Sequence, residues 1–119
     1  HHLKDGTNCT LDSFCEMIAR TAELMGVSQI GIGSDLCQDQ PDSVVEWMRV
    51  GRWTKDIDYG EGSAANAGFP PMPSWFQDNR HFDAIATGLH KQGFSQADVA
   101  GIMGENWLNF YDASFGPAE

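Results

Sequence analysis

Positive charge is what this sequence has least of. Seven Lys and Arg stand against seventeen Asp and Glu, a formal charge of −10. With no basic patch to neutralise phosphates, nucleic acid is not an expected partner. An anionic membrane surface is disfavoured on the same ground. The acidity reads mainly as solubility, with binding of metal cations as the functional alternative. Long apolar runs are missing as well, and no stretch approaches the 18 residues a membrane span needs. No signal peptide opens the chain, which favours the cytoplasm. The first residues, His1 and His2, are either a tag remnant or native sequence after a truncation. Cysteine is scarce. Cys9, Cys15 and Cys37 are odd in number and form no C-x-x-C pair. That argues against a zinc ribbon or a disulfide framework and leaves buried, reduced thiols as the expectation. Asn8-Cys9-Thr10 matches a glycosylation sequon, a tripeptide that chance supplies often.

What is present is globular. Hydrophobic residues make up 41% and charged residues 20% of 119 residues, enough for one domain or a piece of one. Leu11, Phe14, Cys15, Ile18, Ala22 and Met25 recur at helical spacing, predicting a helix over 11–25. Thr10 is placed to cap its start, Asp12 suits its positive N-terminal end, and Gly26 can close it. The sequence "DSVVEWMRVG" is a further helix by its apolar positions. "SWFQDNRHFDAIATGLHKQG" is another, capped by Ser74 or Asp78 and closed by Gly93. "SQADVAGIMGENWLNFYDASFG" is the last, with Ser95 and Asp98 spaced as a capping box. No repeat or low-complexity tract interrupts this order.

One segment reads differently. "VSQIGIGSD", residues 27–35, has the β-branched residues of a short strand, thinned by glycines that let another backbone or a ligand approach. The expected fold is therefore mostly α with one short strand. Such a strand cannot satisfy its backbone alone. Its bare edges, together with the apolar faces of the helices, predict a homo-oligomer, in the first place a dimer pairing through "QIGIGS". Between the helices, Arg52–Phe69 reads as an inserted loop, longer than a compact domain usually carries, and Pro70, Pro71 and Pro73 stiffen the residues after it.

Asp35 closes the strand-like segment, at the position where an α/β enzyme places a catalytic carboxylate. Neighbouring residues offer weaker chemistry. "DLCQDQPDS" is acidic but lacks the spacing of a calcium loop. Ser34 has no G-x-S-x-G elbow, and Cys37 has no histidine near it in sequence. His81 and His90 stand nine apart on a helical stretch, on different faces, and are expected in solvent rather than on one metal ion. Trp47, Trp53, Trp75 and Trp107 read mainly as core or interface anchors.

The segment "IGIGSDLCQD" resembles G-x-G-S-D-F-D-G of the membrane dipeptidase (renal dipeptidase) family of zinc peptidases. "FDAIATGLHKQGFSQADVAGIMGENWLNFY" resembles that family's closing pattern, an apolar helix, then G-[FW]-[ST]-x-x-[DE]-[VI], then G-x-N-x-L-R-[VF]. The helix over 11–25 also falls where the family has one. The resemblance implies a (β/α)8 TIM barrel of which residues 1–119 form the C-terminal quarter, Asp35 lying at the carboxyl end of the last strand. It implies a dipeptide substrate and, in the intact parent enzyme, a two-zinc centre whose bound water Asp35 would hydrogen-bond and deprotonate. The departures are specific. Leu36-Cys37-Gln38 replaces Phe-Asp-Gly, leaving Asp39 as the next acidic position one step late, and Asn109 stands where the family has Arg. The family's zinc ligands would all precede residue 1. No metal ligand is therefore assigned here, no zinc is expected on this chain alone, and the isolated chain is expected to be inactive. The alternative is a self-associating, non-catalytic helical interaction module.

Overall fold

The structure, a computed structural model, describes residues 5–50 and 68–116, the side chains of 47–50 excepted. The described residues are mostly helical. Helix α1 runs Leu11–Met25, α2 Ser43–Val50, α3 Phe82–Lys91, α4 Gln96–Ala100 and α5 Asn106–Phe115. Single 3₁₀ turns, Val27–Gln29 and Asn79–His81, stand after α1 and before α3. Most of the expected loop Arg52–Phe69 lies outside the described residues, as do the side chains of Trp47 and Trp53.

The helix ends follow local chemistry. Thr10 Oγ1 accepts from the Ser13 N–H at 3.1 Å, and Ser13 Oγ accepts from the Thr10 N–H at 3.1 Å, a reciprocal cap. Gly26 ends α1 at φ 84°, in the left-handed region glycine enters freely. Asp78, rather than Ser74, caps the turn into α3, its carboxylate accepting from the Arg80 N–H at 2.9 Å. Ser95 and Asp98 form the expected box at α4. The last helix is not continuous. A widened turn, Gly101–Glu105, separates α4 from α5, and the chain kinks at Gly104.

α1 and α3 make the centre. Cys15, Ile18, Ile30, Phe76, Ile85, Leu89, Val99 and Ile102 form one buried apolar cluster. The two helices approach closely at Gly88, where a Cβ would stand 2.5 Å from Cys15 Sγ and 3.2 Å from Leu11. Close packing of this kind leaves no room for a methyl group. Met25, expected on the buried stripe of α1, is exposed instead. Of the three cysteines, Cys9 and Cys15 are buried and Cys37 is exposed, so the expectation of buried thiols fails at Cys37.

The short strand does not form. No strand or sheet occurs among the described residues. Residues 27–29 coil into a 3₁₀ turn, and 30–37 run without a ladder. Ile30 has the dihedrals of a strand (φ −112°, ψ 134°), but no second strand pairs with it. The Ile30 N–H donates to Val27, while the Ile30 carbonyl and both backbone groups of Ile32 are met by Asn106, Ile102 and Trp107, so the edges expected to recruit a second chain are not both bare.

No helix among the described residues is long and apolar enough to cross a membrane.

Candidate functional site

The site is built around residues 27–42. Asn106, the first residue of α5, reaches back over more than seventy positions. Its Nδ2 donates to the Val27 carbonyl at 2.9 Å and to the Ile30 carbonyl at 2.7 Å. The Ile32 N–H donates to the Ile102 carbonyl at 3.3 Å, and Trp107 Nε1 donates to the Ile32 carbonyl at 3.2 Å. Two side chains and one helix carbonyl thus supply what a neighbouring strand would otherwise give. Gly31 lies against the Trp107 indole. A Cβ there would fall 2.3 Å from Nε1, so only glycine fits without displacing the ring.

Beyond this clamp the chain turns. Ser34 Oγ accepts from the Leu36 N–H at 3.3 Å. Asp35 sits at φ 50° and Asp39 at φ 55°, both left-handed, a conformation aspartate adopts more readily than most residues. Both are exposed. The Asp35 carboxylate has no hydrogen-bond or ion-pair partner among the described residues. The loop is tied down at two further points. Gln38 Oε1 accepts from the Asn79 N–H at 3.2 Å, and Asp42 Oδ1 accepts from the Phe69 N–H at 3.1 Å.

A cleft of about 280 Å³ opens beside it. Ile32, Gly33 and Ser34 form one wall and Pro70–Pro73 another, with Phe14, Trp75 and Phe76 among its aromatic lining. The rings of Phe14 and Trp75 stand 5.2 Å apart, and Trp75 Nε1 donates to the Cys9 carbonyl at 2.9 Å. No charged side chain among the described residues lines this space. Asp35 follows Ser34 directly, which places its Cα about 3.8 Å from that of a lining residue.

The other residues singled out in the sequence do not gather here. His81 is half-buried, not fully in solvent, and its Nδ1 accepts from the Gln77 and Asp78 N–H groups at 3.3 Å each. His90 is exposed on α3, its Nδ1 3.3 Å from the Phe94 carbonyl. The Arg80 guanidinium beside Asp78 holds that carboxyl down at about 2, and Ser95 holds Asp98 below the usual range. Burial, then the charge of Asp12, pushes the Cys15 thiol up to about 11, so it stays protonated and unreactive at neutral pH. No group of three or more His, Cys, Asp or Glu side chains that could hold a metal ion occurs among the described residues.

Sequence reasoning missed two features. The clamp by Asn106 and Trp107 was signalled only as part of the "GENWL" pattern, with no hint of what it touches. One wall of the cleft lies in "FPPMPSWF", whose prolines are read above as loop stiffening and whose last three residues are read as the start of a helix. No protein-family model, curated protein or solved structure matches the chain.

Proposed function

We propose that residues 1–119 are the C-terminal part of a zinc-dependent dipeptidase of the membrane dipeptidase family, the last quarter of a (β/α)8 barrel, with Asp35 as a catalytic carboxylate. One observation carries this reading. The two segments that resemble the family, "IGIGSD" and "GENWL", lie far apart in sequence and are bonded to one another through Asn106. An accidental likeness in two segments gives no reason for them to meet. The strand dihedrals of Ile30 add support, since a strand without a ladder is what a barrel strand becomes when its neighbours belong to another part of the protein. The reading has a structural consequence. The Asn106 bond to Val27 lies in the turn before the strand and is kept in a barrel, while its bond to Ile30 falls on the strand's first residue. The Ile32 bonds to Ile102 and Trp107 occupy a strand edge and give way to neighbouring strands.

The described residues do not make a zinc site. On this reading the donors come from residues outside this chain, and no step is assigned to them here. Asp35 has the one role its exposure suits. Its carboxylate takes the proton of the water that attacks the peptide carbonyl and returns it to the departing amine. The test is dipeptide hydrolysis by the polypeptide extended upstream, with zinc supplied. Turnover is expected, and its absence in a folded, zinc-loaded protein counts against the reading.

A second reading, a self-associating helical module, is favoured by α5. Trp107, Leu108, Phe110, Tyr111 and Phe115 are 42%, 64%, 55%, 50% and 79% exposed. The four aromatic rings form an unbroken chain with centroids 5.7–6.2 Å apart. At 150–250 Å² per aromatic side chain these exposures leave on the order of 500 Å² bare. Paired with a second copy, that gives roughly 1,000 Å², the lower bound of a specific interface. Asp112 is the only charged residue of α5, so two chains of charge −10 can meet there with little repulsion. On this second reading the homo-oligomer expected from the sequence pairs through α5 rather than through "QIGIGS".

A further inference from the structure

We propose that the cleft beside Asp35 is a subsite for one large apolar side chain of a dipeptide, making aromatic or branched aliphatic dipeptides the preferred substrate class. This rests on the dipeptidase reading and goes beyond it, because nothing in that reading says which side chains are accepted.

Size comes first. Complete small-molecule sites usually occupy about 300–1,000 Å³. A dry cavity of about 150 Å³ already accommodates benzene. At about 280 Å³ the cleft is small for a whole ligand and ample for one ring or branched side chain. Polarity comes second. Phe14, Ile32, Met72, Trp75, Phe76 and the prolines present carbon to the space, and no charged side chain among the described residues lines it. The indole N–H of Trp75 is already spent on the Cys9 carbonyl, so that ring offers its face and not a donor. A lysine or glutamate side chain would lose its hydration there and meet no opposite charge, only the Thr7 and Ser34 hydroxyls. Rigidity comes third. Proline fixes φ at three of the four positions Pro70–Pro73, and the Trp75 bond to Cys9 ties the aromatic wall to the N-terminal segment. A preformed cleft loses less entropy on binding than one that must order itself. Position comes last. Gly33 and Ser34 line the cleft and Asp35 follows them. A side chain seated among the rings leaves the peptide group attached to it at the Gly33–Ser34 edge of the cleft, one residue along the chain from Asp35, which does not itself line the space. Proximity of this kind is what a specificity subsite contributes to turnover.

The test needs no catalysis and uses this chain as it stands. The chain is labelled with ¹⁵N and titrated separately with Phe-Gly, Gly-Phe, Gly-Gly and Gly-Glu, while the Trp75 indole resonance is followed. The expected result is a saturable shift with at least one phenylalanine dipeptide in the millimolar range. Affinity for it should exceed that for Gly-Gly and Gly-Glu by roughly 10- to 100-fold, as burial of one aromatic side chain implies. Gly33→Leu supplies the control. A Cβ at Gly33 meets nothing within 4 Å and its φ is not left-handed, so the variant should keep the wild-type circular dichroism and melting temperature. Loss of at least tenfold in affinity in that variant supports the subsite. No saturable shift with either phenylalanine dipeptide, equal shifts with Gly-Gly, or undiminished binding in folded Gly33→Leu overturns it. If the chain binds phenylalanine dipeptides but the extended polypeptide hydrolyses none, the dipeptidase reading fails while the cleft stands as a binding site.

Discussion

Replacing Asn106 by alanine tests the clamp on which the site depends. Asn106 Nδ2 serves two carbonyls, Val27 at 2.9 Å and Ile30 at 2.7 Å, in a partly buried setting. A hydrogen bond of this kind contributes about 0.5–1.5 kcal/mol net, and a buried acceptor left without a partner costs about 1–3 kcal/mol. Solvent reaches part of this site, so the lower end applies to the second figure. The expected loss is about 2 kcal/mol, read from urea unfolding followed by circular dichroism, with the m value unchanged. Asn106→Asp has the same outline and no donor. It sets a carboxylate against two carbonyl oxygens, so it should be at least as destabilised at neutral pH and should recover as the carboxyl protonates in acid. Amide shifts in both variants should concentrate in residues 27–36. A loss below about 0.5 kcal/mol in Asn106→Ala, with the 27–36 amides unmoved, would refute the reasoning.

Gly88→Ala should destabilise the packing of α1 on α3 by about 1–3 kcal/mol, since the added methyl meets Cys15 Sγ at 2.5 Å; a melting temperature within 1 °C of wild type, to the order of assay error, would contradict it. Cys15 gives a pH dependence. Its folded pKa, about 11, lies above the unfolded value of about 9, so the contribution is full below the unfolded value and is lost as pH rises through the folded one. Stability should therefore fall across that alkaline window in the wild type and fall less in Cys15→Ala, as measured by denaturant midpoints against pH. Light scattering should find more than one chain per particle, and Tyr111→Ser with Phe115→Ser should shift it toward the 13.1 kDa monomer; a wild-type monomer at micromolar concentration would remove the α5 interface.

The helices were legible because their signals are local. Thr10, Asp78 and Ser95 cap through atoms two or three residues away, and the stripe from Leu11 to Ile18 has the helical period. Met25 belongs to the same period but is the last residue of α1 and is exposed, and periodicity says nothing of where the covering partner ends. The strand failed for a related reason. β-Branched residues at 27, 30 and 32 favour extended backbone, and Ile30 adopts it, but a strand also needs a ladder, which no local signal guarantees. Ile102, Asn106 and Trp107 met those backbone groups instead, across seventy or more residues. The kink at Gly104 escaped notice because the apolar spacing runs through it unbroken. Of the candidate site, the sequence singles out Asp35 only by its position after the glycines. The cleft could not be named, because Phe14, Ile32 and the stretch from Pro70 to Trp75 are three separate parts of the chain that only packing brings together.

The central claim is that Asp35 handles the proton in dipeptide hydrolysis. Its most direct test is steady-state hydrolysis by the zinc-loaded, upstream-extended polypeptide, comparing wild type with Asp35→Asn while metal content and fold are checked in both. The account predicts equal zinc, equal unfolding midpoints and a fall in kcat on the order of 10²- to 10⁴-fold, the usual cost of removing a general base. Turnover within a few-fold of wild type in a folded, zinc-replete Asp35→Asn protein would contradict it.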